Sequence, residues 1–119
     1  MEDINKVIIG GELVRDSTFG HAAGGSAVAT FTLAFPSGPD KQRDSKNRKG
    51  VIDIIFFGAE ARSWVELLRK GTRVVVKGRL QQRSWRTLEG IHRSKTEIVA
   101  NQVECCNSYQ GKIKTHEIK

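Results

Sequence analysis

Apolar side chains recur mostly at period two. In the segment Ser26 to Phe35, Ala27, Ala29, Phe31, Leu33 and Phe35 fall on one face, which predicts a half-buried strand. Gly24-Gly25 marks a turn before it. Residues 5–14 are rich in β-branched side chains and predict an earlier strand, with Gly10-Gly11 as a bend or bulge inside it. Val51 to Phe57 is almost wholly apolar and predicts a third strand, buried on both faces or nearly so. The period then changes. Ala61, Trp64, Leu67 and Leu68 recur at helical spacing, Arg69 and Lys70 suit a helix C-terminus, and Gly71 supplies a stop, so a helix is predicted over 59–70. Period two returns from Thr72 to Arg86. Leu88-Glu89-Gly90 predicts a hairpin turn, and Ile91 to about Val103 a last strand.

The order is strand, strand, strand, helix, strand, strand. That predicts an all-β chain, a five-stranded OB-fold barrel with one helix between the third and fourth strands. At 119 residues the length suits one domain. It is read as a barrel over residues 1–106 and a weakly patterned, flexible C-terminal tail over 107–119. Residues 36–50 hold two prolines and five basic side chains and predict a mobile basic loop. Phe31, Phe35, Phe56 and Trp64 are assigned to the core. Phe57 is ambiguous, because it shares a face with Val51, Asp53 and Ile55.

No apolar run is long enough for a membrane helix, and Met1-Glu2-Asp3 lacks the basic start of a signal peptide. Cys105 and Cys106 are adjacent, so they cannot close a loop on each other or match zinc-ligand spacing. A cytoplasmic location with no membrane partner is expected. His21, His92 and His116 are scattered, no serine sits in a nucleophile elbow, and no glycine pair has the Lys-Ser/Thr of a phosphate loop. No enzyme activity, metal or cofactor is therefore expected.

Charge changes the picture more. The net charge is +7, yet residues 69–95 alone carry nine basic side chains against one acid, Glu89. Such concentration suits a polyanion partner as well as it suits a solvated face. The fourth strand favours the partner. Without a bulge, Arg73, Val75, Lys77, Arg79, Gln81, Arg83 and Trp85 share one face, while Val74, Val76, Gly78 and Leu80 share the other. A bulge at Gly78 would swap the faces beyond it. Cations that track phosphates, beside an indole that stacks a base, are what a single-strand binder needs.

These residues in this order resemble bacterial single-stranded DNA-binding proteins of the homotetrameric type. The resemblance runs over residues 4–103. It is carried by Asn5-Lys6-Val7-Ile8, Leu13-Val14-Arg15-Asp16, Gly25-Ser26-Ala27-Val28-Ala29, Phe57-Gly58, Leu68-Arg69-Lys70-Gly71, Lys77-Gly78-Arg79-Leu80 with Arg83 and Trp85, Gly90, and Thr96-Glu97-Ile98-Val99. It implies an OB-fold, a homotetramer, and single-stranded DNA wrapped over aromatic platforms, of which Phe57 and Trp85 match two. Val51 stands where the family has a tryptophan, and a second tryptophan position falls near Pro39. Asp53 replaces a common basic residue and is expected to repel phosphate. Ile52 replaces an interface histidine and adds apolar area at a subunit contact. The acidic tail that docks replication and repair proteins in the family has no counterpart in the basic segment Gly111–Lys119.

The expected function is sequence-independent binding of single-stranded DNA in replication, repair and recombination. Lys6, Lys41, Arg43, Lys46, Phe57, Arg73, Lys77, Arg79, Arg83, Trp85 and Arg86 form the expected nucleic-acid-binding set. The alternative is an OB-fold accessory protein of the primosome, a dimer that mainly contacts a helicase or another replication protein.

Overall fold

The period-two faces turn inward against one another. A computed structural model describes residues 2–39, 47–107 and 112–117. Its elements are β1 (Val7–Leu13), β2 (Thr18–His21), β3 (Ala27–Pro39), β4 (Asn47–Phe57), α1 (Ala61–Val65), β5 (Arg73–Arg86), β6 (His92–Asn107) and β7 (Lys112–Glu117). Ala29, Phe31 and Leu33 of β3 face Ile54 and Phe56 of β4, Val74 and Val76 of β5, and Ile98, Ala100 and Val103 of β6 in one core.

Five strands close into a ring. β1 pairs β5, β5 pairs β6, β4 pairs β3 and β3 returns to β1, all antiparallel, while β6 meets β4 in parallel at Ile54↔Ile98 and Ile55↔Val99. This is the OB-fold barrel, with α1 between β4 and β5. Closure brings backbones close together. A Cβ at Gly11 would lie 1.9 Å from the Ala34 carbonyl oxygen, so only glycine fits where β1 meets β3.

The helix plugs one end of the barrel. Trp64 is 1 % exposed, its ring centre 5.8 Å from that of Phe56, and Ala61 and Leu68 are buried beside it. The helical spacing therefore marks core positions, but α1 is shorter than 59–70. Past Val65 the chain turns, Leu67 is exposed, and Gly71 at φ 89° donates its N–H to the Leu13 carbonyl.

Four further features depart from the sequence reading. β2 is an additional strand, paired with β3 from Thr18↔Thr30 to His21↔Ala27. β3 and β4 extend into the expected loop, paired as far as Pro39↔Asn47. Phe35 is only half-buried, its ring lying where a Cβ on Gly50 would be. Finally, residues 112–117, expected within a tail, form β7, which pairs β6 from Gln102↔Glu117 to Asn107↔Lys112. β6 pairs β4 only at Ile98 and Val99, so its C-terminal half presents a sheet edge, and β7 satisfies that edge.

A bulge does occur beside Gly78, but on the partner strand. Lys77 pairs Gln102 and Gly78 pairs Ala100, so Asn101 is the extra residue and β5 keeps its faces. Gly78 serves close approach instead, since a Cβ there would lie 2.1 Å from the Val99 carbonyl oxygen.

Candidate nucleic-acid interface

Val74, Val76 and Gly78 are buried, so the odd-numbered residues of β5 point outward. Across the ladder Arg79, Gln81, Arg83 and Trp85 stand opposite Val99, Glu97, Lys95 and Arg93 of β6. Ile54 and Ile98 pair on the core side, so Val51, Asp53, Ile55 and Phe57 of β4 share this outer face. Three strands thus build one surface with aromatics at both ends. Trp85 is 43 % exposed and Phe57 half-buried. Extending the Ile55↔Val99 register, Phe57 and Trp85 are separated by about eight β6 positions, or roughly 26 Å at the usual strand rise. Several nucleotides would span that distance.

The cations between them are ordered by two carboxylates. Arg83 and Lys95 are direct cross-strand neighbours, a like-charge pairing that is unfavourable by itself. Each is taken by a separate acid. Arg83 Nε donates to Glu97 Oε1 at 2.7 Å, and Lys95 Nζ donates to Asp53 Oδ2. Asp53 Oδ1 also accepts from the Thr32 hydroxyl at 2.6 Å, and Thr32 Oγ1 accepts from Arg15 Nη2 at 2.8 Å. A polar row from Arg15 to Lys95 therefore crosses β3, β4 and β6.

This revises the expectation for Asp53. It does face the candidate DNA path, but with its charge compensated by Lys95 rather than projected at phosphate. Burial by itself would raise the Asp53 pKa. Hydrogen bonds from Lys95 and Thr32, with the positive charges of Lys95 and Arg15, outweigh burial and hold it below the ordinary 3.8. A depressed folded pKa contributes stability that is complete above the unfolded value and lost as pH falls through the folded one. The melting temperature of the native protein should therefore exceed that of Asp53→Asn above pH about 4, and the difference should shrink below it. A gap that widens on acidification would refute the pairing.

The expected site residues divide into three groups. Phe57, Arg79, Arg83 and Trp85 lie on the outer face of β4, β5 and β6, whereas Arg86 ends β5 on the opposite side of the strand. Lys6 lies beside Arg79, because Asn5 exchanges side-chain hydrogen bonds with the Leu80 backbone and Val7 pairs Gly78. Lys77 lies two residues before Arg79 on the same outward face, whereas Arg73, at the far end of β5, stands beside Glu12 of β1. Arg73 is paired there with Glu12 at 3.4 Å and lies about 40 Å along the strand from Trp85. Lys41, Arg43 and Lys46 fall outside the described residues. Sequence reasoning missed Lys95, Glu97, Thr32 and Arg15 as parts of the face. The Arg83–Trp85 alternation points to β5 and the turn at Leu88–Gly90 to β6 as its neighbour, but neither gives the register that sets Lys95 and Glu97 opposite Arg83 and Gln81, nor brings β3 and β4 alongside. Ile52, expected at a subunit contact, is partly buried and packs against the core. Among the described residues no cluster of His, Cys, Asp and Glu could hold a metal.

Known proteins share both sequence and fold with this chain. Residues 4–106 match the model of the single-strand binding protein family. The chain is 37% identical over 105 residues to the single-stranded DNA-binding protein of Helicobacter hepaticus, covering 87% of this chain and 62% of that protein. It is 34% identical over 102 residues to the single-stranded DNA-binding protein of Clostridium tetani, covering 85% of this chain and 69% of that one. Among solved structures, the Plasmodium falciparum SSB in complex with ssDNA superposes with a TM-score of 0.71 at 24% identity, covering 100% of this chain and 98% of that one. A deletion mutant of the single-stranded DNA binding protein from Thermus aquaticus gives 0.74 at 23% identity, covering 93% and 54%. With the family pattern spanning the whole barrel, the chain belongs to the single-strand binding protein family.

Proposed function

We propose that this chain binds single-stranded DNA without reading its sequence, and that it protects unpaired strands during replication, repair and recombination inside the cell. The observation that carries this reading is the outer face of β4, β5 and β6, where Phe57 and Trp85 flank a row of cations. An aromatic face stacks any base, and arginine or lysine neutralises any phosphate, so such a surface selects for single strands and not for sequence. The protein holds the strand and performs no chemistry on it. No helix among the described residues is long and apolar enough to cross a membrane.

The working assembly is a homotetramer with D2 symmetry, since one small barrel presents too little surface to wrap a long strand. Ile8 at 60 % exposure and Val75 at 38 %, on the outer side of β1 and β5, supply apolar area for a contact between copies. Replication and repair proteins are the partners this role implies.

Oligo-dT titration followed by tryptophan fluorescence tests the binding. Quenching by oligo-dT, oligo-dC and oligo-dA, with little response to duplex, is the expected result, and no binding of oligo-dT overturns the reading. Light scattering should give a mass near four times 13.2 kDa. A monomer at micromolar concentration overturns the tetramer. A dimer with weak oligo-dT binding identifies the primosomal accessory role instead, which Val51, 65 % exposed where the family has a tryptophan, favours over strand wrapping.

A further inference from the structure

Glu97 lies on the outward face of β6, among the groups that would meet phosphate, yet it is 1 % exposed. An acid in such a place opposes the bound strand, and a buried charge is costly unless paired and hydrogen-bonded. Its partners both come from β5. Gln81 stands directly opposite, its Nε2 3.3 Å from Glu97 Oε1, and Arg83 Nε donates to the same oxygen at 2.7 Å. Arg83 in turn leans on Trp85, its guanidinium carbon 5.3 Å from the indole centre. One cation is thus held at its Nε by a carboxylate while its charged head lies over the aromatic ring.

The surroundings explain why a holder is needed. Lys95 stands opposite Arg83, and Arg93 stands opposite Trp85. Both repel the guanidinium, and Lys95 is itself held by Asp53. Trp85 lies near the tip of the β5–β6 hairpin, beyond the packed core, and is 43 % exposed.

We infer that Glu97 is a positioning residue for the stacking site: it fixes Arg83 against one face of Trp85, so that the other face is presented to a single base. The inference rests on the proposed single-strand binding and adds a role for a group that contacts no DNA itself. It carries a sign that charge alone does not. Removing an acid from a phosphate-facing surface should tighten binding by simple electrostatics. Losing the holder of Arg83 and Trp85 should weaken it.

The test is a double-mutant cycle in a Trp64→Phe background, where Trp85 is the remaining tryptophan of the two in the chain. Read from the anisotropy of a dye-labelled oligo-dT, Glu97→Gln should weaken binding about three- to tenfold when Trp85 is present, and should have little effect or a tightening effect once Trp85 is alanine. Emission anisotropy of Trp85 in the free protein should fall in Glu97→Gln. A merely structural role would lower the melting temperature and leave both the anisotropy and the additivity of the cycle unchanged. Arg83→Lys, at a side chain 53 % exposed, is a second variant that spares the fold and should reproduce the loss of anisotropy, because an ammonium cannot bridge the carboxylate and the ring as a planar guanidinium does. Tighter binding by Glu97→Gln, or an equal cost in both Trp85 backgrounds, overturns the inference while leaving strand binding in place. Failure of the native protein to bind oligo-dT overturns the binding reading, and an unchanged anisotropy then removes the Glu97 role as well.

Discussion

Trp85→Ala is expected to weaken oligo-dT binding by about 1–3 kcal/mol, the range for one stacked base. Trp85 suits the effect by its placement. It is 43 % exposed, it extends the outward face of Arg79 and Arg83, and no core group closes over it. Trp64 is the contrasting case, because it is buried against Phe56 at the helix end of the barrel. Trp64→Phe should therefore leave affinity unchanged and lower stability only. The two indoles also separate spectroscopically. Oligo-dT should quench emission in the native protein and leave a Trp85→Phe variant, where Trp64 is the emitter, nearly unaffected. Equal quenching in both would place the stacking site elsewhere.

The residues of this site differ in how far the sequence reveals them. The alternation along β5 is a local property, since side chains two apart share a face whatever the strand lies next to. That is why Arg79, Arg83 and Trp85 could be grouped before any fold was known. Asp53 and Lys95 are 42 residues apart, and they meet because β4 and β6 pair in parallel at Ile54↔Ile98. No periodicity encodes that pairing, so Asp53 read as a lone acid facing phosphate when it is a partner for a lysine. Glu97 was hidden for a similar reason. A glutamate in an apolar run says nothing about burial until Gln81 and Arg83 are placed across from it.

The same distinction separates the elements. β3, β4 and β5 are long, regular and apolar on one side, and their existence follows from pattern. β2 has four residues, too few for alternation to register, and is a strand only because β3 offers it an edge. β7 likewise exists through the edge of β6. The bulge depends on a fit between two strands. Gly78 is conspicuous in the sequence, but the extra residue is Asn101, because the glycine admits the partner backbone and the partner absorbs the irregularity.

Salt should weaken strand binding steeply, and the structure sets how the steepness is shared. Apart from Arg15, which is engaged with Thr32, six cations lie on the proposed face: Lys6, Lys77, Arg79, Arg83, Arg93 and Lys95. Arg83 and Lys95 are already paired with Glu97 and Asp53, so about four remain to displace counterions from phosphate. At a slope near −0.7 per neutralised phosphate on single strands, about four contacts give roughly −2.8, or about a 50-fold loss of affinity for a fourfold rise in salt. Basic residues of the segment 40–46 would add to that. Arg79→Ala should flatten the slope by about 0.7, while Arg83→Ala should flatten it less, because Glu97 already balances that charge. Asp53→Asn acts in the opposite sense: with Lys95 released, the slope should steepen by about 0.7 and binding at low salt should tighten. A titration with oligo-dT across this range of salt checks all four. A flat response in the native protein would refute the electrostatic account. An Asp53→Asn variant with the native slope would show that Lys95 stays away from phosphate even when its acid is gone, and that the row from Arg15 to Lys95 holds the sheet together and not the strand upon it.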